Sequence, residues 1–282
     1  MVKFISDWAP YGADVRPGTF CIDWRNAAPH PKLSRPIDIA ISVYRKLPGP
    51  VVVMVSGGVD SQASAYAAKL SGIDCRFVCF RYNGGLNDYD LASEFYDRHG
   101  IVVEEIDIDI LAFHETDLLS WGEKYNTASP HLLCHMKIAS MIEDATVVFS
   151  GNPEFPNSTG GLTHETISLE RYASISGQPV VGYFFNCDPH LFYSFRTCPS
   201  YDEVGGYDQK VRVYQEGGFP VEPQEKKLHG FEAIKELYDD HAVPFVSRLK
   251  FARRASKRPY DLLFRYPLSE HKIYHTNRKI IY

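Results

Sequence analysis

Apolar positions along the chain fall into short separated blocks, each the size of one structural element. Residues 51–55 (VVVMV) form a continuous, mostly β-branched block, the pattern of a strand buried on both faces. Blocks of the same character recur at 75–82, 101–108 and 145–150. Between them the apolar residues change to helical spacing. A helix is predicted over 63–70, ended by Ser71-Gly72. Another is predicted over 87–99, with Leu91, Phe95 and Tyr96 on one face, and a third over 130–143. Ahead of the first strand, 36–47 reads as a short helix with Pro36 in its first turn, and Pro48-Gly49-Pro50 then breaks the chain. This alternation predicts an α/β fold: a parallel sheet with helices on both faces. In such sheets ligands bind outside the carboxyl ends of the strands, so residues 56–61, 80–83 and 150–154 are expected to meet there.

The pattern weakens at both ends. Residues 1–35, rich in Pro and aromatics, read as an irregular arm packed on the domain. Residues 156–166 read as a polar loop. Residues 179–195 (PVVGYFFNCDPHLFYSF) are unusually aromatic, which suits a strand pair over the sheet, a pocket wall or the core of a small subdomain. Residues 199–224, Gly- and Pro-rich, read as loop, and 225–241 as a helix with Phe231, Ile234, Leu237 and Tyr238 inward. The resulting division is an N-terminal arm and short helix at 1–49, a ligand-binding domain at 50–160, and an irregular C-terminal region at 161–282 that sets substrate specificity.

Composition adds two constraints. The 282 residues are 44% hydrophobic and 23% charged, ordinary for a globular protein, with no apolar run long enough to span a membrane and no signal-peptide pattern in MVKFISDWAP; the expected location is cytoplasmic, with no membrane partner. None of the six cysteines forms C-x-x-C or a zinc-ligand cluster, so free thiols are expected. The net charge of −5 is uneven. Residues 246–282 hold ten Lys and Arg against two Asp and Glu, leaving about −13 on the rest. The basic segment 248–258 (Arg248, Lys250, Arg253, Arg254, Lys257, Arg258) is either a solvated surface tail or a contact for a nucleic acid or polyphosphate.

The most informative chemistry is Ser56-Gly57-Gly58-Val59-Asp60-Ser61, between the first strand and the helix after it. Unpaired N–H groups of a helix's first turn and its dipole attract an anion. Two glycines let the backbone approach a phosphate, and two serines add donors. Asp60 would repel an anion unless a divalent cation lay between them. A Walker A loop is excluded, because no lysine follows the glycines. The stretch instead resembles the PP-loop, S-G-G-x-D-S, of the N-type ATP pyrophosphatases. That superfamily includes the synthetase domains for GMP, NAD, asparagine and argininosuccinate, and several tRNA thiolases. The resemblance covers residues 50–155 and implies an adenine nucleotide alpha-hydrolase-like, Rossmann-like sandwich that uses ATP and Mg2+. It implies cleavage of ATP between the α- and β-phosphates, transfer of AMP to a substrate oxygen, and displacement of AMP by nitrogen or sulfur. By the same resemblance Ser56, Gly57, Gly58, Val59 and Ser61 cradle pyrophosphate, Asp60 holds magnesium, and Phe80, Arg81 and Tyr82 lie where adenine is contacted. Gly151 and Asn152 join the nucleotide site, and Glu154 is a second metal ligand or a solvated carboxylate.

Residues 129–138 (SPHLLCHMKI) place Cys134 near a helix start between His131 and His135, where a thiol's pKa falls. The segment is similar to P-x-x-x-x-C-N-x-x-I-K of the tRNA 2-thiouridine synthases, with His135 in place of Asn and one residue fewer after Pro130. That likeness implies a catalytic Cys134 with Cys198, or Cys187, as its persulfide partner; the other reading is a packed thiol. Lys137 is a further candidate to reach the α-phosphate. Three functions follow. The first is an AMP-forming ligase or amidotransferase-like synthetase acting on a small-molecule or nucleobase substrate. Val2 excludes a built-in class II glutaminase, so its nitrogen comes from ammonia, an amine or a partner protein. The second is a thiolase of tRNA or a nucleobase, with a sulfur-donating partner. The third is an adenine nucleotide sensor without turnover.

Overall fold

The computed structural model describes residues 19–23, 34–83, 85, 87–125, 130–151, 153, 155, 169, 172–173, 175–203, 205–224 and 272–276. Its elements are β1 (Thr19–Asp23), α1 (Pro36–Tyr44), β2 (Val51–Met54), α2 (Val59–Ser71), β3 (Cys75–Tyr82), α3 (Asp88–Arg98) and β4 (Val103–Ile108). There follow α4 (Ile110–Thr116), α5 (Leu118–Tyr125), α6 (Pro130–Ala139), β5 (Thr146–Val148), β6 (Val180–Val181), α7 (Phe184–Cys187), α8 (Pro189–Ser194), α9 (Gly206–Glu216) and β7 (Lys272–Thr276).

Five strands form one parallel sheet in the order β4-β3-β2-β5-β6. The order reverses between β2 and β5, the switch point at whose carboxyl ends parallel sheets commonly bind ligands. Alternate residues of each strand face opposite sides. Val51 and Val53 of β2, Val148 and Val181 join a core with α1, α2 and α3. Val52, Met54, Val147 and Val180 join a second core with α4 and α6. β2 is buried at every position, as its unbroken apolar block requires. β4, at the sheet's edge, buries only Ile108 fully and presents Glu104, Glu105 and Asp107 outward.

Several expectations are revised. α2 begins at Val59, four residues before its apolar spacing becomes regular, so Val59, Asp60 and Ser61 are its first turn. On α3, Ala92 takes the inward place expected of Leu91, which is exposed. The sheet does not end near residue 160: Val180–Val181 supplies its fifth strand. The aromatic run after it builds the main core, with Tyr44 stacked on Phe184 at 4.2 Å and Phe185 against Tyr214 at 5.2 Å. Within the stretch read as loop, Gly206–Glu216 is a helix that buries Val211, Val213 and Tyr214 in that core. The terminal segments are not wholly irregular, since β1 pairs in parallel with β7. The helix expected over 225–241 and the basic segment 248–258 lie outside the described residues. Among the described residues no helix is long and apolar enough to cross a membrane.

Candidate active site

The loop of residues 55–58 leaves the carboxyl end of the central strand, held by Val55 N–H donating to the Val78 carbonyl at 2.8 Å. Gly57 has φ +86°, and a Cβ there would stand 2.2 Å from the backbone carbonyl carbon and oxygen of Asp88. Its bare backbone is therefore required first by the start of α3, and not by phosphate approach as the sequence suggests. Gly58 is different. Its φ is −62°, and a Cβ would come no closer than 3.8 Å to Ser56 Oγ or Asp88 Oδ2. No side chain caps α2, so the first-turn N–H groups of Val59 and Asp60 have no intrahelical acceptor. The two serines divide. Ser56 is exposed, whereas the buried Ser61 hydroxyl donates to the Gly58 carbonyl at 2.9 Å, accepts from Ser56 N–H at 3.2 Å and lies 3.2 Å from the Tyr96 hydroxyl. Ser61 thus ties the loop internally. The Val59 side chain belongs to the core, leaving its backbone to the site.

Asp60 is held by α9. Tyr214 Oη donates to Asp60 Oδ1 at 2.7 Å, and Lys210 Nζ donates to Oδ2 at 2.9 Å. The two donors lie one helical turn apart on one face of α9. The ion pair is sheltered, its side chains 13% and 19% exposed for Lys210 and Asp60. Burial, and then the Asp60 carboxylate, raise the Tyr214 phenol well above its usual pKa, so it stays a donor.

Two glutamines clasp the same loop. Gln62 Nε2 donates to the carbonyls of Gly57 (2.9 Å) and Glu222 (3.1 Å), and its Oε1 accepts from Glu222 N–H at 2.8 Å. Gln224 Nε2 donates to the carbonyls of Gly57 (3.1 Å) and Asp88 (2.8 Å). With its carbonyl fixed this way, Gly57 cannot flip its peptide without losing two bonds. Asp88, buried at the first position of α3, is a second carboxylate beside the loop. Lys210, Tyr214, Gln62, Gln224 and Asp88 escape the sequence reading. The signal for α9 was weak: of its four inward residues, Gln209, Val211, Val213 and Tyr214, only two are aliphatic.

Of the other expected residues, Phe80, Arg81 and Tyr82 end β3 and Gly151 follows β5, the two strands that flank β2, while Cys134 and Lys137 lie on α6. Phe80 packs in the core on the α6 side, with Tyr82 against it. The Arg81 guanidinium is bound in a bidentate pair by Asp90 (2.7 and 3.0 Å) and also by Glu105, which raises its pKa and fixes the end of β3. Gly151, φ +84°, lies against Tyr183, whose side chain a Cβ would meet at 2.6 Å; Tyr183 itself has φ +71°. Asn152 and Glu154 lie outside the described residues. Lys137 Nζ stands over the rings of Trp121 (5.6 Å) and Phe113 (5.9 Å), a cation–π position. Cys134 is fully buried, with its Sγ 3.2 Å from His114 Nε2, and burial drives its thiol pKa up rather than down. It sits in one core, while Cys187 and Cys198 sit in the other, across the sheet. The expected thiolate and its pairing with either cysteine find no support in this geometry.

Magnesium fits the arrangement poorly as a direct ligand of Asp60. Both carboxylate oxygens already accept from α9, and an ion on Oδ2 would share it with the Lys210 ammonium. A divalent and a monovalent cation about 4 Å apart repel by about 8 kcal/mol at an effective dielectric of 20. Among the described residues no group of three or more His, Cys, Asp or Glu is arranged to hold a metal.

No family model matches the chain, and no curated protein matches it. Solved structures similar to it include a predicted subunit of a tRNA methyltransferase from Methanocaldococcus jannaschii, 17% identical over 66% of this chain and 84% of that one, with a TM-score of 0.39. An NH3-dependent NAD synthetase from Campylobacter jejuni is 12% identical over 87% of this chain and 98% of that one, with a TM-score of 0.35. An NMN synthetase from Francisella tularensis is 12% identical over 86% of this chain and 97% of that one, with a TM-score of 0.38. This chain is an α/β protein that carries Ser56–Ser61 from the loop after β2 into the first turn of α2, at the carboxyl end of the central strand of a five-stranded parallel sheet.

Proposed function

We propose that the chain is an ATP-using, AMP-forming enzyme that activates an oxygen of a small-molecule or nucleobase substrate for attack by nitrogen. The observation that carries this reading is the first turn of α2, which no side chain caps, at the sheet's switch point. The N–H groups of Val59 and Asp60 and the Ser56 hydroxyl would hold the β- and γ-phosphates as they leave. The substrate oxygen attacks the α-phosphorus and a P–O bond forms. The α–β bridging P–O bond breaks, and pyrophosphate departs with its electron pair. Nitrogen then attacks the activated carbon, AMP leaves with its oxygen, and the nitrogen loses a proton to water. The loop's task is positioning and charge stabilisation rather than covalent chemistry. Magnesium travelling on the nucleotide's own phosphates would neutralise part of their charge. Nitrogen would come from free ammonia, an amine or a partner protein, and the reaction suits a cytoplasmic protein.

The test is to incubate the protein with magnesium and ATP labelled at the α-phosphate, with pooled carboxylate, carbonyl and nucleobase acceptors and ammonia. AMP plus pyrophosphate is the expected product, and the pool that stimulates it identifies the acceptor class. ADP plus phosphate would refute the assigned bond cleavage. Binding without turnover in any pool would replace the enzyme by a nucleotide sensor.

A further inference from the structure

We infer that Lys210 is the cation that meets the nucleotide's phosphates at this loop, and that Asp60 is the residue that positions Lys210 rather than a direct ligand of magnesium. The inference rests on the nucleotide reading above and departs from the role first expected of Asp60.

Three observations carry it. The first is occupancy: both Asp60 oxygens accept from α9, Oδ2 from Lys210 and Oδ1 from Tyr214. The second is orientation. Tyr214 is buried in the main core and its hydroxyl holds one oxygen, so the carboxylate is turned to present the other to Lys210. A staple between α9 and α2 would need only one of these bonds. The third is charge. Asp60 is the second residue of α2, beside the N–H groups that would receive the phosphates. A bare carboxylate there opposes a polyanion, whereas a neutral Asp60–Lys210 pair does not, and a ligand that draws the ammonium toward its phosphates gains a charge-assisted contact. The pair is sheltered enough to resist screening, yet not closed to a ligand.

The test uses the full chain and calorimetry with ATP, and separately with adenosine, in EDTA and in magnesium. Lys210→Met is expected to weaken ATP binding at least about tenfold and leave adenosine unchanged, while Lys210→Arg restores most of the loss. In EDTA, D60N combined with K210M is expected to bind ATP no more weakly than K210M alone, because Asp60 acts through the lysine. Unchanged ATP affinity in Lys210→Met, or equal weakening toward adenosine, would overturn the inference. So would a loss in D60N that appears only with magnesium and persists in the K210M background. If wild type binds adenosine and ATP equally well, the lysine has no phosphate to meet. If it binds neither, the nucleotide reading itself falls, and with it this one. Should Lys210→Met fail to fold, amine-reactive labelling of the wild type gives the same decision. ATP, but not adenosine, is expected to protect Lys210; equal labelling with and without ATP would overturn the role.

Discussion

Replacing Gly57 by alanine separates the architecture of the loop from its chemistry. The added Cβ would stand 2.2 Å from the Asp88 carbonyl carbon and oxygen and 2.4 Å from Tyr89 N, all backbone atoms at the start of α3. None of them is the flexible end of a side chain, so relief requires shifting α3 or the loop. Two costs add. Holding a non-glycine residue at φ +86° costs about 1–2 kcal/mol, and overpacking against fixed backbone about 1–3 kcal/mol. The total, about 2–5 kcal/mol, is a large part of a typical domain's net stability of about 5–15 kcal/mol. At about 2–4 °C per kcal/mol the melting temperature should fall by roughly 5–20 °C. Gly58→Ala is the control. Its φ of −62° suits alanine and nothing lies nearer than 3.8 Å, so its stability should stay within about 1 kcal/mol of wild type. Its methyl group nevertheless stands beside Ser56 Oγ, at the proposed phosphate site, and ATP affinity should fall. Thermal melts followed by circular dichroism, with ATP titrations on both variants, are the assay. A Gly57→Ala protein that melts with wild type would refute the reasoning, as would a Gly58→Ala protein destabilised as much as Gly57→Ala.

Burial lowers the His114 pKa to about 4, against about 6.5 when unfolded. Between those values the unfolded chain binds a proton that the folded one refuses, so this contribution is intact above pH 6.5 and is lost as the pH falls toward 4, by about 3 kcal/mol. Urea midpoints across that range should fall more steeply in wild type than in His114→Gln. Cys134 should react with an alkylating reagent only on unfolding, and Cys134→Ala should keep its turnover while losing about 1–2 kcal/mol of stability, measured by urea titration. Gln62→Ala removes both bonds to Glu222 and one to Gly57, so hydrogen exchange at 221–224 and at the loop should speed up together, with a stability loss of about 1–3 kcal/mol.

The parallel sheet and the site's main loop were legible because each element signals locally. The 51–55 block is apolar without a break, and Ser56–Ser61 follows it directly. The glycines were legible as glycines but not in their separate reasons, since what excludes a side chain at Gly57 is the backbone of Asp88, thirty-one positions away. Helix α9 was hidden because it opens on Gly205-Gly206 and buries Gln209 beside Val211 and Val213, which mutes the apolar rhythm. Lys210 and Tyr214 were hidden for a different reason. Their significance lies in Asp60, and nothing within a helical turn of either marks the pairing. For Cys134 the sequence left a reactive and a packed thiol open, because burial is not local: with Leu132, Leu133 and Cys134 all buried, desolvation drives the thiol's pKa up against the pull of the helix start.

The bonds that finish the loop also set when it can be finished. Gln62 meets Glu222 across 160 positions, and Asp60 meets Tyr214 across 154. Closing a span of that length costs about 4–5 kcal/mol of chain entropy, a cost that only an assembled sheet and core can meet. At the ribosome, with about 5–20 residues added per second, β2 and α2 would be made about 8–35 s before Gln224 emerges to clasp them. During that interval the first turn of α2 exists without its clasp, and the loop takes its finished form only after residues 222–224 have been made.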